Sequence, residues 1–107
     1  MSYREHFNII ADILNAVDHN PKKTKIMYQA NLSYGVLQRY LAETVAASLI
    51  DFEAHSQSYL LTLKGREFLY AYKEYSKIRH QVERSLYMEA AKRKVLEQLC
   101  CSSQTDI

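Results

Sequence analysis

The feature that most constrains the fold of this chain is a long stretch without a helix-breaking residue. Between Gly65 and Leu99 the sequence has no further Gly and no Pro. Because these residues interrupt helices, one helix of about 35 residues and about 52 Å is predicted there. A compact unit built from the preceding ~65 residues is only about 28 Å across. About half of the helix is therefore expected to extend beyond that unit.

The second half of this predicted helix carries an apolar stripe that nothing in the same chain is expected to cover. Its members are Ile78, Val82, Leu86, Ala90, Val95, Leu96 and Leu99. An exposed apolar stripe of this length predicts a partner, and the simplest partner is the same helix of a second copy. The alternative is a break near Ser85 that folds the stripe back onto the first helix. The predicted dimer contacts are Tyr75, Ile78, Val82, Leu86, Ala90 and Leu96.

The heptad pattern of the stripe is interrupted. Ile78, Val82 and Leu86 fit the spacing of a coiled coil, but Glu89 and Arg93 fall where apolar residues would be expected. The spacing alone therefore leaves both parallel and antiparallel helix order open.

The whole chain is predicted to be mainly helical. Its 107 residues are the length of one domain, and the proportions of 48% apolar and 24% charged residues are those of a globular protein. Two Gly and one Pro are too few for the many tight turns of a β-sandwich or β-barrel. Most all-β folds are excluded.

Helical spacing predicts three short helices before the long one. The first runs from Tyr3 to Val17 and is ended by Asn20 and Pro21, the second covers 24–30, and the third has Ser33 as N-cap and reaches about residue 47. The buried face of the first helix is predicted to comprise Phe7, Ile10, Ala11, Leu14 and Val17. That of the third helix is predicted to comprise Leu37, Tyr40, Leu41 and Val45.

A hairpin is predicted directly after the third helix. The β-compatible runs 49–53 and 59–63 are separated by the polar segment 54–58, and Thr62 or Lys64 opens the last helix. This order of elements is typical of a winged helix-turn-helix. The predicted fold class is therefore mainly α (α+β), a winged helix-turn-helix with a long C-terminal helix that forms a dimeric coiled coil. We expect a DNA-binding domain over 1–66, a dimerisation helix over 67–99 and a flexible tail over 100–107.

The third helix is the candidate for reading DNA. In a helix-turn-helix the second helix of the pair lies in the major groove with its N-terminal residues toward the bases. Gln38 can bond adenine, and Arg39 can reach a phosphate or guanine. Tyr34 is expected to face outward beside them, and Ser33 with the free amides of the helix start favours a phosphate. The alternative is that Tyr34 and Arg39 are ordinary solvated residues.

Two basic clusters are expected to flank this helix. Lys22, Lys23 and Lys25 precede the second helix, and Lys64 and Arg66 follow the hairpin, so both groups could neutralise phosphates. The net charge of +2 is small, and the lysine cluster could equally be a solvated loop.

Three other features are weaker indications of a nucleic-acid contact. The wing tip, His55, Ser56, Gln57 and Ser58, offers hydrogen bonds to a DNA backbone or minor groove. The run 92–94 could form a second basic patch or a solvated helix face. Most of the nine tyrosines are expected to lie in the core.

Catalysis finds little support in the residue pattern. The four histidines are scattered without Cys or carboxylates at metal-ligand spacing, and no phosphate loop or serine elbow is present. We therefore expect no enzyme activity, no metal and no cofactor. Cys100 and Cys101 are expected to be reduced thiols, or alternatively to cross-link two chains under oxidation. No run reaches the ~20 apolar residues of a membrane span, and no signal segment is evident, so a soluble cytoplasmic protein is expected.

The sequence resembles a known family over about residues 5 to 75. The resemblance lies in residues 27–34 (MYQANLSY), 49–50 (LI) and 61–69 (LTLKGREFL), together with Leu37, Tyr40, Leu41 and Tyr59. These residues look like the small archaeal winged-helix family, whose best-known members are the ten-kilodalton archaeal chromatin proteins. The family usually has Gly where this chain has Ser48, before the Leu-Ile pair. The resemblance implies that Ser33, Tyr34, Gln38 and Arg39 belong to the recognition helix and that His55 to Ser58 form the wing. It also implies an antiparallel coiled-coil dimer of the C-terminal helices.

The predicted function is a dimeric winged-helix protein that binds double-stranded DNA. It would act in the cytoplasm, associated with the nucleoid, as a transcription regulator or a chromatin-organising protein, without a cofactor, a membrane or an identifiable small-molecule ligand. The alternatives are an adaptor winged helix that binds other proteins and a regulator that responds to redox state or to a ligand.

Overall fold

The computed structural model describes residues 4–19 and 22–105, with side chains through Cys101. Its elements are α1 (His6–His19), α2 (Lys23–Ala30), α3 (Tyr34–Ala46), β1 (Ile50–Glu53), β2 (Ser58–Leu61) and α4 (Leu63–Thr105). This order confirms the predicted winged helix-turn-helix with a long C-terminal helix. The predicted start of the first helix at Tyr3 and its predicted stop at Asn20 and Pro21 lie outside the described residues.

The chain divides into two compact units, Met1–Lys73 and Glu74–Ile107. The beginning of α4 belongs to the first unit because Phe68 and Leu69 pack against its core. The second unit consists of the remainder of α4, whose backbone stays helical through Thr105. Helix therefore continues into the segment from residue 100 for which a flexible tail was predicted.

The core of the first unit lies between α1, α2, α3 and the start of the hairpin. Residues that are fully or almost fully buried include Ile13, Leu14, Ile26, Leu37 and Ile50. Leu14 and Leu37 lie on the predicted helical stripes, because side chains three and four residues apart share one face of a helix. Ile13 is also completely buried but was not among the residues predicted for the face of the first helix. Phe7 is half-exposed, and its ring lies against those of His6 and Phe68 at the edge of the core.

Two residues that were predicted to lie on buried helix faces, Phe7 and Val45, are exposed. Val45 is 38% exposed, and Thr44 is fully buried in its place. Thr44 lies four residues after Tyr40, and its hydroxyl donates to the Tyr40 carbonyl at 2.8 Å. The buried polar group is thus satisfied within the helix, so a threonine can occupy the stripe.

The prediction that most tyrosines are buried is also wrong. Among the tyrosines that the structure describes, Tyr40 is buried, and Tyr59 and Tyr72 are half-buried. The exposed ones are Tyr28, Tyr34, Tyr70, Tyr75 and Tyr87. Tyrosine occurs at surfaces because its hydroxyl stays solvated while its ring packs on neighbouring atoms.

The hairpin is short and antiparallel. Ile50 pairs with Leu61 at its base and Glu53 pairs with Ser58 at its tip. Lys22, just before α2, adds an isolated antiparallel bridge to Ser58. The wing, defined here as β1, β2 and the turn between them, is therefore fixed against the start of α2.

The turn between α2 and α3 is closed by Asn31 in the left-handed conformation, with φ of 56°. The Asn31 amide donates to the Tyr28 carbonyl, and the Leu32 amide donates to the Met27 carbonyl, both at 3.2 Å. This pair of bonds satisfies the last carbonyls of α2. Ser33 then starts α3, and its Oγ accepts a hydrogen bond from the Val36 amide.

Candidate nucleic-acid interface

The start of α3 is open to solvent. Tyr34 is 60% exposed, Gln38 and Arg39 are also exposed, and no atom outside the helix lies within 4 Å of the position that a Cβ on Gly35 would take. The Arg39 guanidinium lies over the Tyr40 ring, 5.6 Å from its centroid. Polar side chains of the predicted reading helix are thus available to a ligand at its N-terminal half.

Lys23 connects α2 to the start of α3. Its Nζ donates to the Tyr34 hydroxyl at 3.2 Å and lies 4.5 Å from the centroid of the Tyr34 ring. A cation over an aromatic face is attracted by the ring quadrupole. The contact places one positive charge beside the N-terminus of α3, where the helix dipole also favours an anion.

The outward face of α2 adds Lys25 and Tyr28. Both are exposed, Tyr28 at 84%, and they lie three residues apart on the side of α2 opposite buried Ile26 and Ala30. Tyr28 was not singled out in the sequence, because most tyrosines were expected to lie in the core. Its three-residue spacing from Lys25, away from the buried stripe, is the sequence signal that indicates it. We call Lys23, Lys25, Tyr28, Tyr34, Gln38 and Arg39 the α2–α3 surface.

Lys22 is engaged by the wing. Its Nζ donates to the Ser56 carbonyl, in addition to the backbone bridge with Ser58. Lys22 therefore differs from Lys23 and Lys25, although the sequence groups all three in one basic cluster. In this structure it fastens the wing to the start of α2.

Lys64 and Arg66 are also engaged within the protein. Lys64 Nζ donates to the Ala47 carbonyl at 2.7 Å, at the C-terminal end of α3. Arg66 Nη2 forms an ion pair with Asp18 Oδ1 at 3.0 Å. The donors that were predicted to meet phosphates on this side are used on a backbone carbonyl and a carboxylate.

The residues around Lys64 bond the backbone carbonyls that directly follow α3. Thr62 Oγ1 donates to the Ser48 and Leu49 carbonyls at 2.7 and 2.9 Å, and it accepts from the Gly65 amide at 3.0 Å. A Cβ on Gly65 would lie 2.3 Å from the Leu49 carbonyl oxygen, so only glycine permits this approach. We call Thr62–Arg66 the clamp segment. It explains in structural terms the Thr-x-Lys-Gly pattern that carries part of the family resemblance.

The wing tip offers fewer groups than predicted. His55, Ser56 and Gln57 are exposed, whereas Ser58 is 7% exposed within β2. The Glu53 carboxylate accepts from the Ser56 amide at 2.9 Å, and Gln57 Nε2 donates to the Ala54 carbonyl at 3.0 Å. Much of the hydrogen-bonding capacity of the turn is thus used to hold its own shape.

Sequence reasoning also missed Arg4. Its Nη1 donates to the Ala30 carbonyl at 3.0 Å and to the Asn31 carbonyl at 3.2 Å, while Nη2 pairs with Asp12. A guanidinium has several donors in a fixed plane, so Arg4 fixes the α2–α3 turn to α1. An isolated arginine before a helix gives no sequence signal of this role.

In the second unit, the predicted dimer contacts are exposed. Ile78, Val82, Leu86 and Leu96 are between 52% and 64% exposed, Tyr75 is 43% exposed, and Ala90 is exposed. Every described side chain from residue 77 to residue 101 is exposed. Such a row of apolar side chains on one element is what an association surface requires.

Two further observations concern the described residues only. No group of three or more His, Cys, Asp and Glu side chains in this part of the chain is placed to hold a metal ion. No helix in it has the length and hydropathy needed to cross a membrane.

Comparison with known proteins shows the family to which the chain belongs. A family model described as winged helix-turn-helix matches residues 3–80, and this chain belongs to that family. Among solved structures, the chain is similar to the crystal structure of Sso10a-2, a DNA-binding protein from Sulfolobus solfataricus. The two share 29% sequence identity with a TM-score of 0.66, over 90% of this chain and 97% of that one. The resemblance to the small archaeal winged-helix family is thereby confirmed. No curated protein sequence matches the chain.

Proposed function

We propose that the protein binds double-stranded DNA as a homodimer, with the α2–α3 surface as its contact. The observation that carries this proposal is the Lys23–Tyr34 contact, which brings a positive charge of α2 to the exposed start of α3. The description of Sso10a-2 as a DNA-binding protein supports it.

The N-terminal half of α3 enters the major groove. Gln38 reads a base edge, with adenine as the partner that its amide fits best. Arg39 bonds a phosphate or a guanine, and Ser33 with the helix start accommodates a phosphate. Lys23 and Lys25 neutralise phosphates on the strand that α2 crosses.

The wing and the clamp segment contribute less to DNA affinity. β1 carries the carboxylates of Asp51 and Glu53, which phosphates repel, and the amines of Lys22 and Lys64 donate to backbone carbonyls. His55, Ser56 and Gln57 could add hydrogen bonds at the edge of the contact. The three cations of the α2–α3 surface then supply most of the charge in each protomer.

The second copy binds along the apolar face of α4, through Tyr75, Ile78, Val82, Leu86, Ala90 and Leu96. Pairing covers side chains that are otherwise exposed to water. Two α2–α3 surfaces per particle double the phosphate contacts. A role in regulating transcription or organising chromatin, in the cytoplasm on the nucleoid, follows from such a particle and needs no catalysis, metal or cofactor.

The test is duplex binding by fluorescence anisotropy over a salt series, beside a solution mass. Three cations per protomer give about six phosphate contacts per dimer, so the slope of log affinity against log salt should be about −5. Lys25→Ala should weaken every duplex alike. The matched control is Lys77→Ala, which removes the same charge from α4, where Lys77 Nζ lies 3.9 Å from Glu74.

Two results would contradict the proposal. If the protein fails to bind any duplex at low salt, the proposal is wrong, and a stable complex with another protein would then favour the adaptor function. A salt-independent affinity would also contradict it, because phosphate contacts release counterions.

A further inference from the structure

The two glycines of this chain differ in what their surroundings require. A Cβ on Gly65 would lie 2.3 Å from the Leu49 carbonyl oxygen, so the fold itself excludes a side chain there. Gly35 lies in the first turn of α3. Within the described part of the chain, a Cβ on Gly35 would meet nothing within 4 Å beyond its own helix backbone and its chain neighbours. Its φ is not positive either, so neither packing nor backbone conformation requires glycine at this position.

Glycine is a local disadvantage in α3. It destabilises a helix relative to alanine, because its backbone loses more conformational freedom on folding. A residue that breaks a local rule without a structural reason is expected at a functional site. One function of glycine is to let another molecule approach the backbone closely. The face of α3 that carries Gly35 indicates which molecule this is.

Gly35 shares a face of α3 with Gln38 and Arg39. The three residues are spaced by three and four positions, which places them on one side of the helix, and all three are exposed. Leu37 and Leu41, on the other side, are buried in the core. Gly35 therefore opens the face that presents an amide and a guanidinium, the groups that bond adenine and guanine in the major groove.

The large side chain next to Gly35 is bonded to α2. The Tyr34 hydroxyl accepts a hydrogen bond from Lys23 Nζ at 3.2 Å, and the centroid of the Tyr34 ring lies 4.5 Å from the same atom. Both contacts are made with a residue of α2, so they hold the ring on the α2 side of the helix start. Gln38 lies three residues after Gly35, about 4.5 Å further along the helix axis.

We propose that Gly35 is a specificity-determining residue, whose missing side chain lets the start of α3 approach the base pairs closely enough for Gln38 to bond their edges. This inference rests on the proposed binding of DNA by the α2–α3 surface. A Cβ would extend the helix surface by about 1.5 Å, the length of one carbon–carbon bond. Hydrogen bonds join heavy atoms about 2.7 to 3.2 Å apart, so a helix held out by that distance loses its base contacts. Lysines have long flexible side chains and still reach the phosphates.

Added bulk at Gly35 tests the proposal through its effect on specificity. The measured quantity is the ratio of two dissociation constants, that of a scrambled duplex over that of a duplex selected by the native protein from a random pool, both determined by fluorescence anisotropy. Gly35→Ala should lower this ratio about threefold and Gly35→Leu about tenfold, because a base contact is lost. Affinity for the scrambled duplex should change less than about twofold, since phosphate contacts supply it. Urea unfolding verifies that both variants are folded.

Ala46→Leu is the matched control. Ala46 is exposed at the last residue of α3. It follows Gly35 by 11 residues, or about three helical turns, so it lies on the same face about 16 Å further along. The variant adds similar bulk beyond the N-terminal half of the helix that faces the bases. Its ratio of dissociation constants should stay within about twofold of the native value.

A double-variant comparison tests whether Gly35 acts through Gln38. In a Gln38→Ala background, Gly35→Leu should lower the ratio by less than about twofold, because the base contact is already absent and two changes to one contact are not additive. A general distortion of α3 by the added bulk would instead lower the ratio by the same factor in both backgrounds.

The outcomes separate this inference from the proposed function. A native chain that binds no duplex would contradict the proposed function itself. A native chain that binds duplexes would still overturn the role of Gly35 in three cases: if it binds all sequences equally, if Gly35→Leu keeps the native ratio, or if the losses of Gly35→Leu and Gln38→Ala are fully additive. DNA binding by the α2–α3 surface would stand in each of these cases.

Discussion

The α2–α3 surface and the clamp segment are both rich in cations, yet they use them differently. Lys25 is exposed, and the partly buried Lys23 donates from Nζ to the hydroxyl of the exposed Tyr34. Lys64 and Arg66 instead bond the Ala47 carbonyl and the Asp18 carboxylate. The acceptors that the tertiary structure brings within reach therefore decide which cations bond the backbone or a carboxylate of the protein itself.

The two ends of α3 also differ in their surroundings. The N-terminal end is left open for a ligand, while the C-terminal end is closed by Thr62, Lys64 and the approach of Gly65. A cation at a helix C-terminus satisfies carbonyls and the dipole. We infer that the clamp segment holds the reading helix in position and that the α2–α3 surface uses that position.

The largest effect is expected from Gly65→Ala, which breaks the clamp without touching the α2–α3 surface. The new Cβ would lie 2.3 Å from the Leu49 carbonyl oxygen and 2.6 Å from Leu61 Cδ1. The free energy of unfolding in urea should fall by about 3 kcal/mol because backbone must move. Gly35→Ala is the matched control, since its Cβ meets no atom within 4 Å, and should be neutral or stabilising by up to about 1 kcal/mol. Equal stability of the two variants would contradict this explanation.

The next effect concerns specificity on the open end of α3. Gln38→Ala should reduce the preference for a duplex selected by the native protein from a random pool by about tenfold, because a bidentate base contact is lost. Affinity for a scrambled duplex should change little. The measurement is the ratio of the two dissociation constants, and an equal loss on both duplexes would show that Gln38 does not read bases.

A smaller effect separates the two kinds of lysine. Lys64→Met should lower the free energy of unfolding by about 1 kcal/mol, because the Ala47 carbonyl loses its donor. Lys25→Met removes the same charge from an exposed site and should stay within about 0.5 kcal/mol of the native chain. The free energy of unfolding of both variants is measured by urea titration. A lower value for Lys25→Met than for Lys64→Met would contradict this explanation.

The smallest effect is a gain in stability at the end of α3. Ser48 has φ of 63°, the left-handed geometry that glycine adopts without cost, so Ser48→Gly should raise the free energy of unfolding by about 0.7 kcal/mol. Ala47→Gly, at φ of −82°, is the control and should bring no gain. A loss of stability in Ser48→Gly would mean that the hydroxyl matters more than the backbone.

Much of the fold could be predicted because its boundaries are marked locally. Ser33 indicates a helix start, and the absence of Gly and Pro after Gly65 indicates a long helix. Ser48 occupies the left-handed turn expected where the family usually has Gly. The backbone geometry is thus determined by the bonds of the turn, in which the Leu49 amide donates to the Thr44 carbonyl at 3.0 Å, rather than by residue type alone.

The candidate site could be predicted only in part, because contacts between residues far apart in the sequence determine which of its side chains stay available to a ligand. Lys64 meets a carbonyl 17 residues earlier, and Arg66 meets a carboxylate 48 residues earlier. No local pattern distinguishes them from Lys25. Tyr28 was not singled out because most tyrosines were expected to lie in the core, and its exposure becomes evident only when the buried stripe of α2 is known.

The salt dependence of duplex binding by Lys25→Ala and Lys64→Ala tests the central claim most directly. If the α2–α3 surface contacts DNA, Lys25→Ala should reduce the slope of log affinity against log salt by about 2, one phosphate contact per protomer. Lys64→Ala should leave the slope at its native value. A slope lowered by Lys64→Ala and unchanged by Lys25→Ala would contradict the account.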